Sequence, residues 1–307
     1  MGRAKKFTGV IAPLLTPFGG DGRPDPVRFL DHARRVLEAG CTGLAPFGTT
    51  SEGNSLSLSE RMALLEALVR GGIDPACLMP GTGTSAIGDT LTLTRHAVEL
   101  GCGGVLVLPP FYYKMVSDEG LFAAIAAVID RLGDNRLRLY LYHIPPVAVV
   151  GYSLDLVARL ARAYPGIIAG LKDSSGDWSN TEAVIGACPE IEVFSGSEVF
   201  LLSNLRAGGA GCISATCNVN AGAIRGLYDH WRDGDADTRQ EGVTRFRREI
   251  EREPVIPFLK AIVAAEHGDP AWRQTLPPLS AMAEESAERA IARLAALAAV
   301  PARSNVL

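Results

Sequence analysis

Eight short apolar runs alternate with eight longer segments of helical period, and this alternation restricts the fold more than any other feature of the chain. The apolar runs lie at 9–15, 43–47, 77–81, 104–108, 137–143, 167–172, 192–194 and 211–214. Helices are predicted at 26–39, 59–70, 87–100, 118–131, 154–163, 179–187, 198–207 and 221–231. Short runs rich in Val, Ile and Leu fit strands buried on both faces, as in a parallel sheet covered by helices. Strict alternation builds β–α units, and eight of them in roughly 230 residues favour a closed (β/α)8 TIM barrel over an open doubly wound sheet.

The punctuation agrees. Ser57-Leu58-Ser59-Glu60 fits a capping box, and Ser117 and Ser153 stand where N-caps belong. Glycine follows helices at Gly40, Gly71, Gly101 and Gly208. A helix–glycine–strand junction recurs in Gly40-Cys41-Thr42-Gly43-Leu44, Gly101-Cys102-Gly103-Gly104-Val105 and Gly209-Ala210-Gly211-Cys212-Ile213, as an array of like units would produce. From Asp233 onward the pattern is helical only, interrupted by Pro254, Pro257, Pro270, Pro277 and Pro278. The expected organisation is a barrel over 1–232 and a C-terminal helical extension over 233–307.

Composition narrows the function classes. With 47% apolar and 21% charged residues the chain is globular in type. The formal net charge is -4 and the basic residues are scattered, which argues against a nucleic-acid partner. The run 245–252 alternates in sign and reads as a solvated helix face. Cys41, Cys77, Cys102, Cys188, Cys212 and Cys217 form no CxxC pair, and a chain of this length needs no disulfide staples, so reduced thiols are expected. No apolar signal segment follows the basic start at 1–6, and no run of about twenty apolar residues occurs. A cytoplasmic protein without a membrane partner is expected. The most apolar stretch, 290–300, is broken by Arg293 and reads as a helix packed on the body.

In such a barrel the site lies where strands end and loops begin. The predicted strand ends carry Thr16; Gly48-Thr49-Thr50; Gly81-Thr82-Gly83; Pro109-Pro110; Tyr142-His143; Lys172-Asp173; Ser195-Gly196-Ser197; and Ser214. They include one lysine, one tyrosine beside it in barrel order and several hydroxyls, but no cluster of metal ligands; His32, His96, His230 and His267 fall on helices or the tail. No metal and no cofactor are expected. A lysine buried at a strand end is costly unless it is neutral or paired, and a neutral amine is a nucleophile toward carbonyls. Lys172 is therefore the candidate nucleophile; pairing with Asp173 is the structural alternative. The Gly48-Thr49-Thr50 loop offers backbone N–H groups and two hydroxyls to a carboxylate, although any loop of small polar residues looks similar. Tyr142 can relay protons or serve as a core tyrosine, and His143 reads as packing or as support behind the residues that meet the substrate. Pro109-Pro110-Phe111-Tyr112-Tyr113-Lys114 presents aromatics suited to a binding edge or a subunit contact.

Seven signals in one order carry a resemblance: Gly9-Val10-Ile11-Ala12-Pro13-Leu14-Leu15-Thr16-Pro17-Phe18, Gly48-Thr49-Thr50-Ser51-Glu52, Tyr112-Tyr113, Tyr142-His143-Ile144-Pro145, Gly170-Leu171-Lys172-Asp173, Ser195-Gly196-Ser197 and Gly208-Gly209-Ala210-Gly211-Cys212-Ile213-Ser214. Over about residues 7–224 the chain resembles the dihydrodipicolinate synthase/N-acetylneuraminate lyase family of pyruvate-dependent class I aldolases. The resemblance implies that Lys172 forms an imine with a 2-keto acid and that Tyr142 is the proton shuttle. It implies that Thr49 and Thr50 bind the substrate carboxylate, and that Thr50 links the hydroxyls of Tyr142 and Tyr113. Tyr113 would act across a subunit interface, Ile213 would pack near the imine, and the assembly would be a homotetramer or homodimer. Gly48, Ser195 and Ser214 are expected on the substrate-binding surface.

Two departures stand out. Ser51 replaces a glycine usual in the family's loop. Val147 stands where the synthases carry an arginine that meets the second substrate's carboxylate, and a valine cannot do so. Val147-Ala148-Val149-Val150 would instead wall the site beside a less charged aldehyde. The expected function is a Schiff-base lyase or aldolase acting on pyruvate or a related 2-keto acid. The synthase that condenses pyruvate with aspartate semialdehyde is the nearest alternative, and a non-catalytic keto-acid-binding barrel is the alternative from another class.

Overall fold

The computed structural model describes residues 7–298; the basic start at 1–6 and the last positions of the predicted 290–300 helix lie outside the described residues. Strands β1 (Gly9–Ala12), β2 (Gly43–Leu44), β3 (Val105–Val107), β4 (Leu139–His143), β5 (Ile168–Asp173), β6 (Glu192–Ser195) and β7 (Gly211–Ile213) form one parallel sheet in the order β2-β1-β7-β6-β5-β4-β3. Helices lie between successive strands, including Pro26–Glu38, Asp118–Leu132 and Leu154–Ala163.

The predicted strand at 77–81 is the main difference. The chain makes a 3-10 turn at Pro75–Cys77 and then passes between β2 and β3. Met79 N and Gly81 N donate to Leu44 O and Pro46 O at 2.8 and 2.7 Å, while Leu106 N donates to Pro80 O at 2.9 Å and Thr82 N to Leu106 O at 2.9 Å. Pro80 has no N–H, so the β3 side lacks one rung and no regular strand forms. The segment still joins the two edge strands, and the (β/α)8 barrel closes.

Side chains alternate along each strand, so the sheet divides the core into layers. Ile11, Ala45, Met79, Leu106, Tyr140, Tyr142, Phe194 and Ile213 meet inside the barrel. Val10, Ala12, Leu44, Val105, Leu141, Leu171, Val193 and Cys212 face outward into the layer shared with the helices. A third cluster lies under the C-terminal helical extension, where Phe258, Ile262 and Trp272 pack with Leu15 and Ala215.

Helix starts follow their caps. Ser57 accepts from Glu60 N at 3.3 Å while Glu60 Oε2 accepts from Ser57 N at 2.8 Å, an arrangement in which Ser→Ala costs about 1 kcal/mol. Ser117 and Ser153 cap Asp118–Leu132 and Leu154–Ala163. The predicted 221–231 helix begins earlier, at Cys217, and is broken at Asn220, whose φ is -141°. A short helix at Pro145–Ala148, preorganised by two prolines at its start, was not foreseen in the sequence. It ends on Val149 at φ 66°, a left-handed conformation costly for a β-branched residue. All six cysteines are unbonded. Among the described residues no helix is long and apolar enough to cross a membrane.

Candidate active site

β5 carries the candidate nucleophile, and its inward positions differ from those of β4 beside it. Where β4 places Tyr140 and Tyr142 inside the barrel, β5 places Gly170 and then Lys172 in register with them. Gly170 is required there: a Cβ would stand 2.5 Å from Cε1 of the Tyr140 ring. Lys172 pairs in register with Tyr142 on β4 and Phe194 on β6, both inward-facing, so its side chain enters the barrel at the C-terminal end.

Lys172 is 4% exposed. Its Nζ lies 4.2 Å from the centroid of the Tyr142 ring, a cation–π distance if the amine is charged. Asp173 is not its partner. That carboxylate lies on the opposite face and accepts from Ser175 N, Asn180 Nδ2 and Thr181 Oγ1, each at 2.8 Å. Among the described residues Lys172 makes no ion pair, so the pairing that would have made it structural is absent.

Tyr142 is equally buried, and its hydroxyl lies 3.3 Å from Thr49 Oγ1. Thr49 follows β2 in a turn that brings Gly48, Thr49 and Thr50 to the same end of the barrel. The hydroxyl that meets Tyr142 is that of Thr49; Thr50, expected to link Tyr142 to Tyr113, makes no side-chain hydrogen bond among the described residues. His143 faces away, where its Nδ1 accepts from Tyr152 N at 2.9 Å and burial holds its pKa below the usual imidazole value. This fits the packing role read from the sequence.

Ile213 lies in the same interior cluster as Tyr142. Ser195 and Ser214, expected to face a ligand, turn their hydroxyls elsewhere. Each follows an inward residue, Phe194 or Ile213, and alternation points it outward. Ser195 Oγ donates to Gly211 O at 3.4 Å, and Ser214 Oγ and Thr216 Oγ1 donate to the fully buried Glu198, whose pKa is raised by desolvation.

The profile of the Dihydrodipicolinate synthetase family matches residues 6–297. The chain belongs to this family. An uncharacterized DapA-like lyase of Chloroflexus aurantiacus is 34% identical over 278 residues, 89% of this chain and 92% of that one. The crystal structure of dihydrodipicolinate synthase from Agrobacterium tumefaciens superposes with a TM-score of 0.88 at 35% identity, covering 94% of this chain and 99% of the other. YagE, a prophage protein of the same family from Escherichia coli K12 solved with pyruvate, gives 0.87 at 28% identity, covering 95% and 99%. Membership makes the protein a lyase of the class I aldolase type.

The outer half of this lyase's site is open. Tyr113 is 75% exposed and stacks edge-on against Tyr112 at 5.3 Å, and among the described residues no hydrogen bond joins it to Tyr142. Val147 is 62% exposed on the short helix, while Ala148 and Val150 are buried, so 147–150 is not a continuous wall. Beside it Lys114 Nζ donates to Phe111 O and, at 3.3 Å, to Ala148 O. No carboxylate pairs with Lys114 among the described residues. Sequence reasoning overlooked Glu52 and Lys260, a fully buried ion pair just behind the threonine turn. The signal was available in Phe258-Leu259-Lys260-Ala261-Ile262-Val263, where a lysine interrupts an otherwise apolar helical run.

Proposed function

We propose that this family member captures a 2-keto acid of the pyruvate type as an imine on Lys172 and makes or breaks a bond at the carbon next to that imine. One observation carries the reading: a buried lysine without an ion-pair partner among the described residues stands against Tyr142, whose hydroxyl is hydrogen-bonded to Thr49. The amine adds to the keto carbon to give a carbinolamine, and loss of its hydroxyl as water gives the imine. That departure needs a proton, which the Tyr142 hydroxyl would deliver and Thr49 would help return. The protonated imine then accepts the electron pair released when the adjacent bond breaks, so the chemistry asks for no metal. The 48–50 turn would hold the substrate carboxylate through N–H and hydroxyl donors, and Ile213 would close the apolar side. The pyruvate bound in YagE supports the substrate class.

Tyr113 is read as completing a neighbouring subunit's site in a homotetramer or homodimer; its exposure and that of Tyr112 and Met115 support a contact between copies. The second reading, condensation of pyruvate with aspartate semialdehyde, is favoured by the 35% identity to the Agrobacterium synthase. Val147 counts against it. A charge-assisted contact to a carboxylate contributes roughly 1.5–3 kcal/mol, so its loss corresponds to about a tenfold to hundredfold penalty. Lys114 offers a cation from the adjacent loop, on a long exposed stem. The deciding experiment assays pyruvate with aspartate semialdehyde beside other aldehydes and 2-keto-3-deoxy acids. Efficient turnover of a less charged substrate supports the first reading; aspartate semialdehyde well ahead of every alternative supports the second.

A further inference from the structure

Glu52 ends the threonine turn in a left-handed conformation, φ 55° and ψ 30°, and is 4% exposed. Both of its carboxylate oxygens are taken by the C-terminal segment. Lys260 Nζ donates to Oε1, and Leu276 N donates to Oε2 at 2.8 Å. Lys260 is itself inaccessible; it also donates to Gln274 O at 2.6 Å and lies 4.1 Å from the centroid of the Phe18 ring. The same Glu52 closes the turn through its backbone, with Glu52 N donating to Thr49 O and Gly53 N to Gly48 O, both at 3.0 Å. Thr16 Oγ1 braces it from β1's loop by donating to Ser51 O at 2.8 Å. A continuous set of contacts thus runs from Leu276 and Lys260 through Glu52 to Thr49, and from Thr49 to Tyr142.

We propose that Glu52 and Lys260 are positioning residues: through them the C-terminal helical segment fixes the 48–53 turn, and so sets how tightly the site holds the carboxylate of a 2-keto acid. The inference rests on the imine reading above. A non-glycine residue in the left-handed region persists only where its surroundings hold it, and here the hold comes from outside the barrel. A buried ion pair is a poor source of net stability, because desolvating two charges offsets their attraction, but it tolerates only one geometry. This pair ends three residues from Thr49.

The test uses the full-length protein and pyruvate as the probe, trapped on Lys172 with borohydride. The double variant Glu52→Gln/Lys260→Met removes both charges and leaves neither stranded in the core. Its half-saturating pyruvate concentration for trapping should rise about tenfold while maximal labelling is retained, the signature of lost ground-state binding. Unchanged half-saturation would overturn the proposal. The wild-type protein supplies a second readout that does not depend on the variant folding. Hydrogen exchange at the Leu276 N–H, which is bonded to Glu52, should slow on going from free to pyruvate-trapped enzyme, together with exchange in the 48–53 turn. A trapped enzyme whose turn is protected and whose Leu276 is unaffected would also overturn it. Failure to label Lys172 at all would refute the imine reading instead, so the two failures are told apart.

Discussion

The two halves of the site are built differently. The inner half, Lys172, Tyr142, Thr49 and Ile213, stands on strands or on a turn locked to them, and its lysine, tyrosine and isoleucine are buried in the barrel. The outer half, Tyr113, Lys114 and Val147, stands on the loop after β3 and on a one-turn helix, and its members are exposed. A barrel fixes inward residues at strand ends to within the tolerance of its own packing, whereas loops are free to vary, so we assign chemistry to the inner half and partner choice to the outer.

The sharpest way to break this division is to remove the amine. Lys172→Met should lower turnover by at least about ten-thousandfold, since among the described residues Lys172 is the one amine of the inner half. Retained activity in that variant would move the chemistry elsewhere. Next in size is Tyr142→Phe, which should slow turnover by about a hundredfold to ten-thousandfold and leave pyruvate capture largely intact, because a general acid acts mainly in the transition state. Steady-state rates beside trapping titrations separate those two effects; a nearly normal rate would place the proton shuttle at another residue. Thr49→Val should raise the apparent KM by about fivefold to tenfold, the range of one lost neutral hydrogen bond, with a smaller fall in kcat through Tyr142. An equal substitution at Thr50 that proved more harmful would show that the pair exchange roles once a substrate or a second subunit is present. The smallest effect belongs to the outer half. Lys114→Ala should leave pyruvate trapping unchanged and weaken only those aldehyde substrates that carry a carboxylate, by no more than about tenfold. Loss of pyruvate trapping in that variant would erase the division between the halves.

What the sequence made legible follows the same line. The alternation of apolar runs and helices was enough for the barrel, because burial on both faces leaves few other arrangements. Position at a strand end was enough to bring Lys172 and Tyr142 together, on inward positions of adjacent central strands. It misled at Ser195 and Ser214: a strand end names a level in the barrel, and only alternation from Phe194 or Ile213 tells which way the side chain points. Thr49 and Thr50 could not be ranked from sequence, since a turn decides which of two neighbouring hydroxyls meets Tyr142. At 77–81 the apolar run was visible, and Pro80 was the warning that its ladder would be incomplete. The Glu52–Lys260 contact joins residues 208 positions apart. Lys260 was conspicuous in its apolar helix, but nothing local named its partner.

One covalent bond, between Lys172 and the 2-keto acid, is the central prediction. Incubating the protein with pyruvate, reducing with borohydride and mapping the adduct by mass spectrometry should give a single modified residue, Lys172, in a reaction that exhaustive chelation of metals does not suppress. An adduct on another lysine, or no adduct at saturating pyruvate, would contradict it.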